Sequence, residues 1–123
     1  MVPRKQVRDV MAGFAGLGVE KIVVTGGEPL THPDWFELLT FACGLPGVVE
    51  TRLQTNAILI TPAEVAALLL LKDHGLIIQT SLEGASPSAH DRVRGEGSFA
   101  QTLQGLRLLE KSGLAPQICI TFT

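Results

Sequence analysis

The chain has 123 residues, of which 46% are hydrophobic and 18% charged, and its formal net charge is −2. This composition is typical of a soluble globular protein, so we expect residues 1–123 to form one domain. The slightly acidic net charge excludes a protein that binds nucleic acid by electrostatic attraction. The longest apolar run (65–71) is too short to span a bilayer, and no signal-peptide pattern is recognisable. These two features predict a cytoplasmic protein.

Apolar periodicity and turn residues predict four helices that alternate with four strands. Thr61-Pro62-Ala63-Glu64, for example, combines an N-cap, a proline at the first helical position and a capping-box glutamate. The predicted helices cover 3–17, 34–43, 61–74 and 98–113, with a short helical turn at 86–87, and the predicted strands cover 22–25, 48–54, 76–82 and 118–122. Such repeats require parallel strands joined by right-handed crossovers.

Alternate positions on the last three predicted strands are polar, while the positions between them are mostly apolar. The polar set is Arg52, Gln54 and Asn56, then Gln79, Ser81 and Glu83, then Gln117, Cys119, Thr121 and Thr123. Strand ends could explain one polar strand, but a doubly wound sheet is apolar on both faces. We therefore predict an α/β fold, a partial (β/α) TIM-type barrel whose four parallel strands share a polar lumen face. Four strands cannot close a barrel, so this fold is expected to be incomplete.

The segment Thr25-Gly26-Gly27-Glu28-Pro29 follows the first predicted strand directly. Two glycines let the backbone approach a ligand closely, and a carboxylate at that position can accept hydrogen bonds from an ammonium group. For an arbitrary Gly-Gly pair, a simple turn beside a solvated glutamate is the favoured interpretation. The segment is neither a dinucleotide-binding glycine motif nor a P-loop, so phosphate binding is not indicated.

Three segments at predicted strand ends together resemble the radical S-adenosylmethionine (SAM) enzymes. Gly26-Gly27-Glu28-Pro29 resembles the GGEP motif of that family, and Thr55-Asn56-Ala57 resembles its TNG segment. Ser81-Leu82-Glu83-Gly84, followed by residues 90–95 (HDRVRG), resembles an SLDG…HD…R run. That run is familiar from the branch with molybdenum-cofactor biosynthesis enzymes, sulfatase maturases and peptide maturases. Ala57 and Glu83 depart from the usual glycine and aspartate, so the turn after Asn56 is expected to differ in backbone.

The resemblance implies a role for each matching residue. Gly26, Gly27 and Glu28 would hold the ammonium of SAM, and Arg94 would pair with its carboxylate. Ser81 and Glu83 would form hydrogen bonds with the ribose or the amino-acid portion of SAM. Gln54 and Asn56 would face the same lumen. Simpler interpretations stay open. Arg92 and Arg94 could be solvated charges, Asn56 a turn former, and His90 a residue that orders its loop.

The family reaction is reductive cleavage of SAM to a 5′-deoxyadenosyl radical, which abstracts hydrogen from a substrate. The resemblance implies a [4Fe–4S] cluster held by a CxxxCxxC motif. This chain has only Cys43 and Cys119, so it carries no such motif and no metal site is predicted. We expect the cluster ligands of the parent enzyme to lie outside this chain, as in a truncated or excised piece, and the chain alone to be inactive.

Two other functions remain open from the sequence, a stand-alone SAM-binding or interaction module and an unrelated (β/α) enzyme with an incidental Gly-Gly-Glu. The substrate, a small molecule or a peptide, is not identified by any motif. Exposed sheet edges predict association into a homo-oligomer.

Overall fold

The computed structural model describes residues 3–84 and 86–121. Helices and strands alternate along the chain, which confirms the predicted α/β architecture. The elements are α1 (Arg4–Gly16), β1 (Lys21–Val24), a 3-10 turn (Pro29–Thr31), α2 (Trp35–Cys43), β2 (Glu50–Gln54), α3 (Pro62–Leu69), β3 (Leu76–Leu82), α4 (Pro87–Arg94), α5 (Ser98–Lys111) and β4 (Gln117–Ile120). In the described residues no helix is long and apolar enough to cross a membrane.

The four strands form one parallel sheet in the order β1-β2-β3-β4. The register places Gln54 beside Gln79, Gln79 beside Gln117, and Ser81 beside Cys119. The predicted polar positions of the three strands therefore share one face of the sheet. Phe122, the predicted last residue of the fourth strand, and Thr123, a predicted polar position, lie outside the described residues.

The opposite face of the sheet carries the hydrophobic core. Leu53 of β2 and Ile78 of β3 are buried against one leucine from each of α2, α3 and α5, namely Leu39, Leu68 and Leu109. On the polar face, Gln54, Gln79 and Ser81 all stay partly exposed. One face is thus sealed by helices and the other remains available to a ligand, as in an open half-barrel rather than a doubly wound sheet.

Helix α3 begins as predicted and ends earlier than predicted. The capping box forms, with Glu64 accepting a hydrogen bond from the backbone N–H of Thr61 at 2.9 Å, and the Thr61 hydroxyl lowers the pKa of the Glu64 carboxyl. The helix ends at Leu69, although the apolar pattern predicted a helix to residue 74. The chain turns over residues 70–75, and Gly75 packs against the residue before β2, where an added Cβ would lie 2.5 Å from the Val49 carbonyl oxygen.

The starts of the two helices that follow β3, α4 and α5, also differ from the sequence prediction. The Ser86-Pro87 segment opens the eight-residue helix α4 instead of a short turn. The N-cap of α5 is Gly97, with φ 80°, while Ser98 is already helical and its hydroxyl donates to Asp91 at 3.2 Å. The serine therefore serves the preceding helix, and the positive φ explains why glycine precedes it.

Candidate functional site

The loop after β1 brings two glycines and a carboxylate to the carboxyl end of the sheet. Gly26 has a backbone φ of 134°, a conformation that residues other than glycine rarely adopt. A Cβ built on Gly26 or Gly27 would meet no atom within 4 Å among the described residues, and both glycines line a cavity. The loop therefore exposes bare backbone to whatever occupies that space.

The Glu28 carboxylate ties this loop to the end of β2. Its Oε2 accepts from the Leu30 N–H at 2.9 Å and its Oε1 accepts from the Asn56 N–H at 2.7 Å. The Thr55 hydroxyl lies 2.8 and 2.9 Å from the two oxygens. Because a carboxylate can accept about four hydrogen bonds, these three donors in the described chain leave room for one more.

The turn after β2 is held from both sides. The Asn56 side chain accepts a hydrogen bond from the Ile58 N–H at 2.9 Å, which confirms its turn-forming role. The Thr102 hydroxyl of α5 donates to the Asn56 carbonyl at 2.9 Å. Ala57, not Asn56, takes the left-handed conformation with φ 64°, so alanine here adopts the backbone that glycine favours.

His90 of α4 anchors the end of β3. Its Nδ1 accepts a hydrogen bond from the Glu83 N–H at 3.0 Å, and its ring stacks edge-to-face on Phe99 with centroids 5.7 Å apart. The side chain is buried. These contacts confirm the interpretation that His90 orders its loop.

Asp91 connects α4 to the start of α5. Its carboxylate accepts from the backbone N–H groups of Phe99 at 2.8 Å and Gly97 at 2.9 Å. These two backbone donors lower the pKa of Asp91, Phe99 contributing most. His90 and Asp91 are neighbours in the sequence, but the structure shows that they contact opposite ends of the segment that carries Arg94. His90 contacts the end of β3, and Asp91 contacts the start of α5.

Arg94 is the last residue of α4 and reaches toward the sheet. Its Nη2 donates to Glu83 Oε1 at 2.8 Å, while its side chain stays 43% exposed. Glu83 is less exposed, at 19%. The guanidinium is therefore oriented by a protein carboxylate and keeps further N–H donors for a ligand.

These segments enclose one cavity of about 280 Å³ at the carboxyl ends of the strands. Its lining residues are Thr25, Gly26, Gly27, Glu28, Gln54, Thr55, Asn56, Gln79, Ser81 and Arg94. Seven of the eight predicted site residues are thus brought together, and Glu83 lies with Arg94 instead of in the lining. Sequence reasoning missed Thr25, Thr55 and Gln79, although Gln79 belonged to the predicted polar face.

The cavity is lined by groups of opposite charge. The Glu28 carboxylate comes from the glycine loop, and the Arg94 guanidinium comes from α4. A ligand with an ammonium and a carboxylate would find a partner of opposite charge for each group. The amino-acid portion of SAM has this pattern, so the residues present fit that cofactor.

The described residues do not fit an iron–sulfur cluster. No three His, Cys, Asp or Glu residues in ranges 3–84 and 86–121 are grouped to hold a metal ion. Cys43 is half-buried and Cys119 is exposed, and burial raises the pKa of the Cys43 thiol, which disfavours the thiolate that metals require.

Sequence comparison places the chain among known enzymes. The signature of the radical SAM superfamily matches residues 1–123. Mycofactocin maturase MftC from Mycobacterium ulcerans (strain Agy99) is 36% identical over 111 residues, which are 90% of this chain and 29% of that protein. An AdoMet-dependent heme synthase from Methanosarcina barkeri (strain Fusaro / DSM 804) is 36% identical over 108 residues, covering 87% of this chain and 30% of the synthase. The chain therefore spans about 30% of the length of these curated relatives.

Structural comparison agrees on the fold. Native anSMEcpe with bound AdoMet and Kp18Cys peptide is similar with a TM-score of 0.72 and 18% sequence identity, covering 98% of this chain and 34% of that one. At this identity the likeness concerns the fold alone. Since the family signature extends over all 123 residues, the chain belongs to the radical SAM superfamily.

Proposed function

We propose that this chain is the SAM-binding portion of a radical SAM enzyme, which cleaves SAM to a 5′-deoxyadenosyl radical for hydrogen abstraction from a substrate. The observation that carries the proposal is the cavity whose lining includes both the Glu28 carboxylate and the Arg94 guanidinium. Support comes from family membership and from relatives whose names or bound ligands include AdoMet.

The proposed roles are those that the family resemblance implies, and the lining of the cavity supports them. The remaining acceptor position of Glu28, with the exposed backbone of Gly26 and Gly27, receives the ammonium of SAM. Arg94 receives the carboxylate, and Glu83 holds the guanidinium in place for it. The three remaining members of the predicted set bond the rest of the cofactor along the lumen face: Gln54, Asn56 and Ser81.

Bound SAM supplies a sulfonium carbon–sulfur bond as the source of the reactive group. The residues of this chain orient the cofactor and shield one side of it with the polar sheet face. Two cysteines cannot provide the three thiolates that the family's cluster needs. We therefore expect these 123 residues alone to bind SAM without cleaving it.

Partners are proposed on two observations. The solved structure of anSMEcpe contains bound AdoMet and a peptide, so a peptide is one candidate substrate class for this chain, with a small molecule as the other. Ile118 and Ile120 on the edge strand β4 are 44% and 40% exposed, and Val23 on the opposite edge is 50% exposed. Such edges favour a stand-alone interaction role or pairing with a second copy of the chain.

Titration calorimetry of the 123-residue chain with SAM tests the proposed function. Glu28→Gln and Arg94→Gln are each expected to weaken binding about tenfold or more, because each removes a charged partner of the amino-acid portion. Arg92→Gln is the matched control, since Arg92 is an exposed arginine on the same helix and does not line the cavity.

A second ligand makes the test specific. 5′-Methylthioadenosine lacks the amino-acid portion, so its affinity is expected to be the same for Arg94→Gln and the unaltered chain. Thermal unfolding checks that each variant is folded, which matters for Glu28 because it also joins two loops. A wild-type chain that fails to bind SAM, or an Arg94→Gln variant that binds it as well as Arg92→Gln, would contradict the proposal.

A further inference from the structure

Arg52 spans three strands on the polar face of the sheet. From β2, its Nη1 donates to Gln79 Oε1 on β3 at 2.8 Å and to Gln117 Oε1 on β4 at 2.7 Å. Its Nη2 donates to Glu50 Oε2 on its own strand at 3.3 Å. The guanidinium is half-buried, with 21% of the side chain exposed, and it does not line the cavity.

This contact fixes which end of the Gln79 amide is available to a ligand. A glutamine amide can present either its carbonyl oxygen or its NH2 group. Here the oxygen is held by Arg52, and a flipped amide would place two donors against each other. Gln79 lines the cavity, so the group it offers there is the NH2 donor.

We infer that Gln79 is a specificity-determining residue that donates an N–H to an acceptor oxygen of the cavity ligand, and that Arg52 sets this polarity. The inference rests on the proposed function for the identity of the ligand, SAM. Of the oxygens in SAM, the carboxylate only accepts, whereas a ribose hydroxyl both donates and accepts. An N–H donor fixed by Arg52 is therefore matched to the carboxylate. Arg52 acts through Gln79 and is a positioning residue.

Gln117 provides a matched control within the same cluster. Its own amide oxygen accepts a hydrogen bond from the same guanidinium nitrogen of Arg52 that contacts Gln79. Gln117 is exposed, however, and does not line the cavity. A glutamate at either position keeps the contact with Arg52 and adds the same charge beside it. Only at position 79 does the substitution replace a donor facing the ligand by an acceptor.

The test is SAM calorimetry on Gln79→Glu and Gln117→Glu. We expect Gln79→Glu to weaken binding about tenfold or more, since an acceptor left facing an acceptor loses the hydrogen bond and adds repulsion. Gln117→Glu is expected to bind as the wild type does. SAM carries a net positive charge, so a purely long-range effect of the new carboxylates would strengthen binding in both variants and overturn the inference.

Two further variants separate folding from recognition. Gln79→Met has similar length and no charge, and it is expected to lose affinity with unchanged far-UV circular dichroism. Arg52→Met releases the amide and is expected to weaken SAM binding, whereas Arg52→Lys, which can still donate to Gln79, is expected to restore most of it. An Arg52→Met variant with wild-type affinity would overturn the positioning role.

5′-Methylthioadenosine tests the carboxylate as the acceptor, because it keeps the ribose and lacks the amino-acid portion. Its affinity is expected to be the same for Gln79→Glu and the wild type, and a loss as large as that for SAM would overturn the inference. Equal affinities of Gln79→Glu, Gln117→Glu and wild type for SAM would overturn the inference while leaving the proposed function intact, because that function fails only when the wild type does not bind.

Discussion

Glu28 combines a structural task with the proposed binding task. Its carboxylate joins the loop after β1 to the turn after β2 through Leu30, Thr55 and Asn56, so the two ligand-facing segments keep a fixed distance. The residue proposed to receive the ligand is thereby preorganised, which would reduce the entropy lost on binding. A solvated glutamate on a Gly-Gly turn would lack this rigidity.

The contact between Gly105 and Ala57 is equally local. An alanine Cβ at position 105 would lie 1.9 Å from the Ala57 carbonyl oxygen. The backbone of α5 therefore touches the turn that donates to Glu28, and only glycine permits that approach.

We predict that Gly105→Ala lowers the free energy of unfolding by about 2 kcal/mol, because the turn and the helix must move apart. The same shift should weaken SAM binding, since Asn56 moves with the turn. Gly13→Ala in α1 is the control: a Cβ there meets no described atom within 4 Å, so it should raise stability by about 0.5–1 kcal/mol. Urea unfolding measures both, and a stabilising Gly105→Ala would disprove the close contact.

At the scale of elements, two buried threonine hydroxyls differ in their partners. The Thr80 hydroxyl of β3 is buried and has no hydrogen-bond partner in the described residues. The Thr102 hydroxyl of α5 is also in a buried residue and donates to the Asn56 carbonyl at 2.9 Å. The Thr80 hydroxyl therefore lowers stability by its uncompensated desolvation, whereas the Thr102 hydroxyl links α5 to the turn after β2.

Replacing each threonine by valine should therefore change stability in opposite directions. Thr80→Val removes an unpaired hydroxyl at nearly constant shape and should raise the free energy of unfolding by about 1 kcal/mol. Thr102→Val should lower it by about 1 kcal/mol and weaken SAM binding as well. Chemical denaturation of the two variants decides this, and equal effects on stability would show that the hydroxyls are equivalent.

Local signals in the sequence indicate the order of the strands and most helices, and they identify the loop motifs. Strand β3 was predicted with the bounds that the structure shows, because Gly75 and the polar residues after Leu82 delimit a β-branched run. The contacts of Glu28 and Arg52 could not be predicted, since each joins segments that are far apart in the sequence and depends on strand register. The end of α3 was misplaced because the leucines after it continue the helical pattern.

At the scale of the molecule, the sheet has two edges, and one of them, β4, carries exposed apolar side chains. Ile118 and Ile120 lie on the helix-facing side of β4, yet they are 44% and 40% exposed. The backbone of Thr121 donates to Leu82 on β3, so the N–H groups of the isoleucines face away from the sheet. This edge therefore offers both hydrogen-bonding groups and apolar side chains to a second strand.

We predict that the chain associates with a second copy through β4 and that Ile120→Lys weakens this association, because a charged edge side chain opposes strand pairing. Size-exclusion chromatography with light scattering should show a mass that rises with concentration for the wild type and stays closer to that of the monomer for the variant. Val93→Lys is the control, since Val93 is 63% exposed on α4 and lies away from the sheet edge. A wild-type chain that stays monomeric at every concentration, or a Val93→Lys variant that dissociates equally, would rule out pairing at this edge.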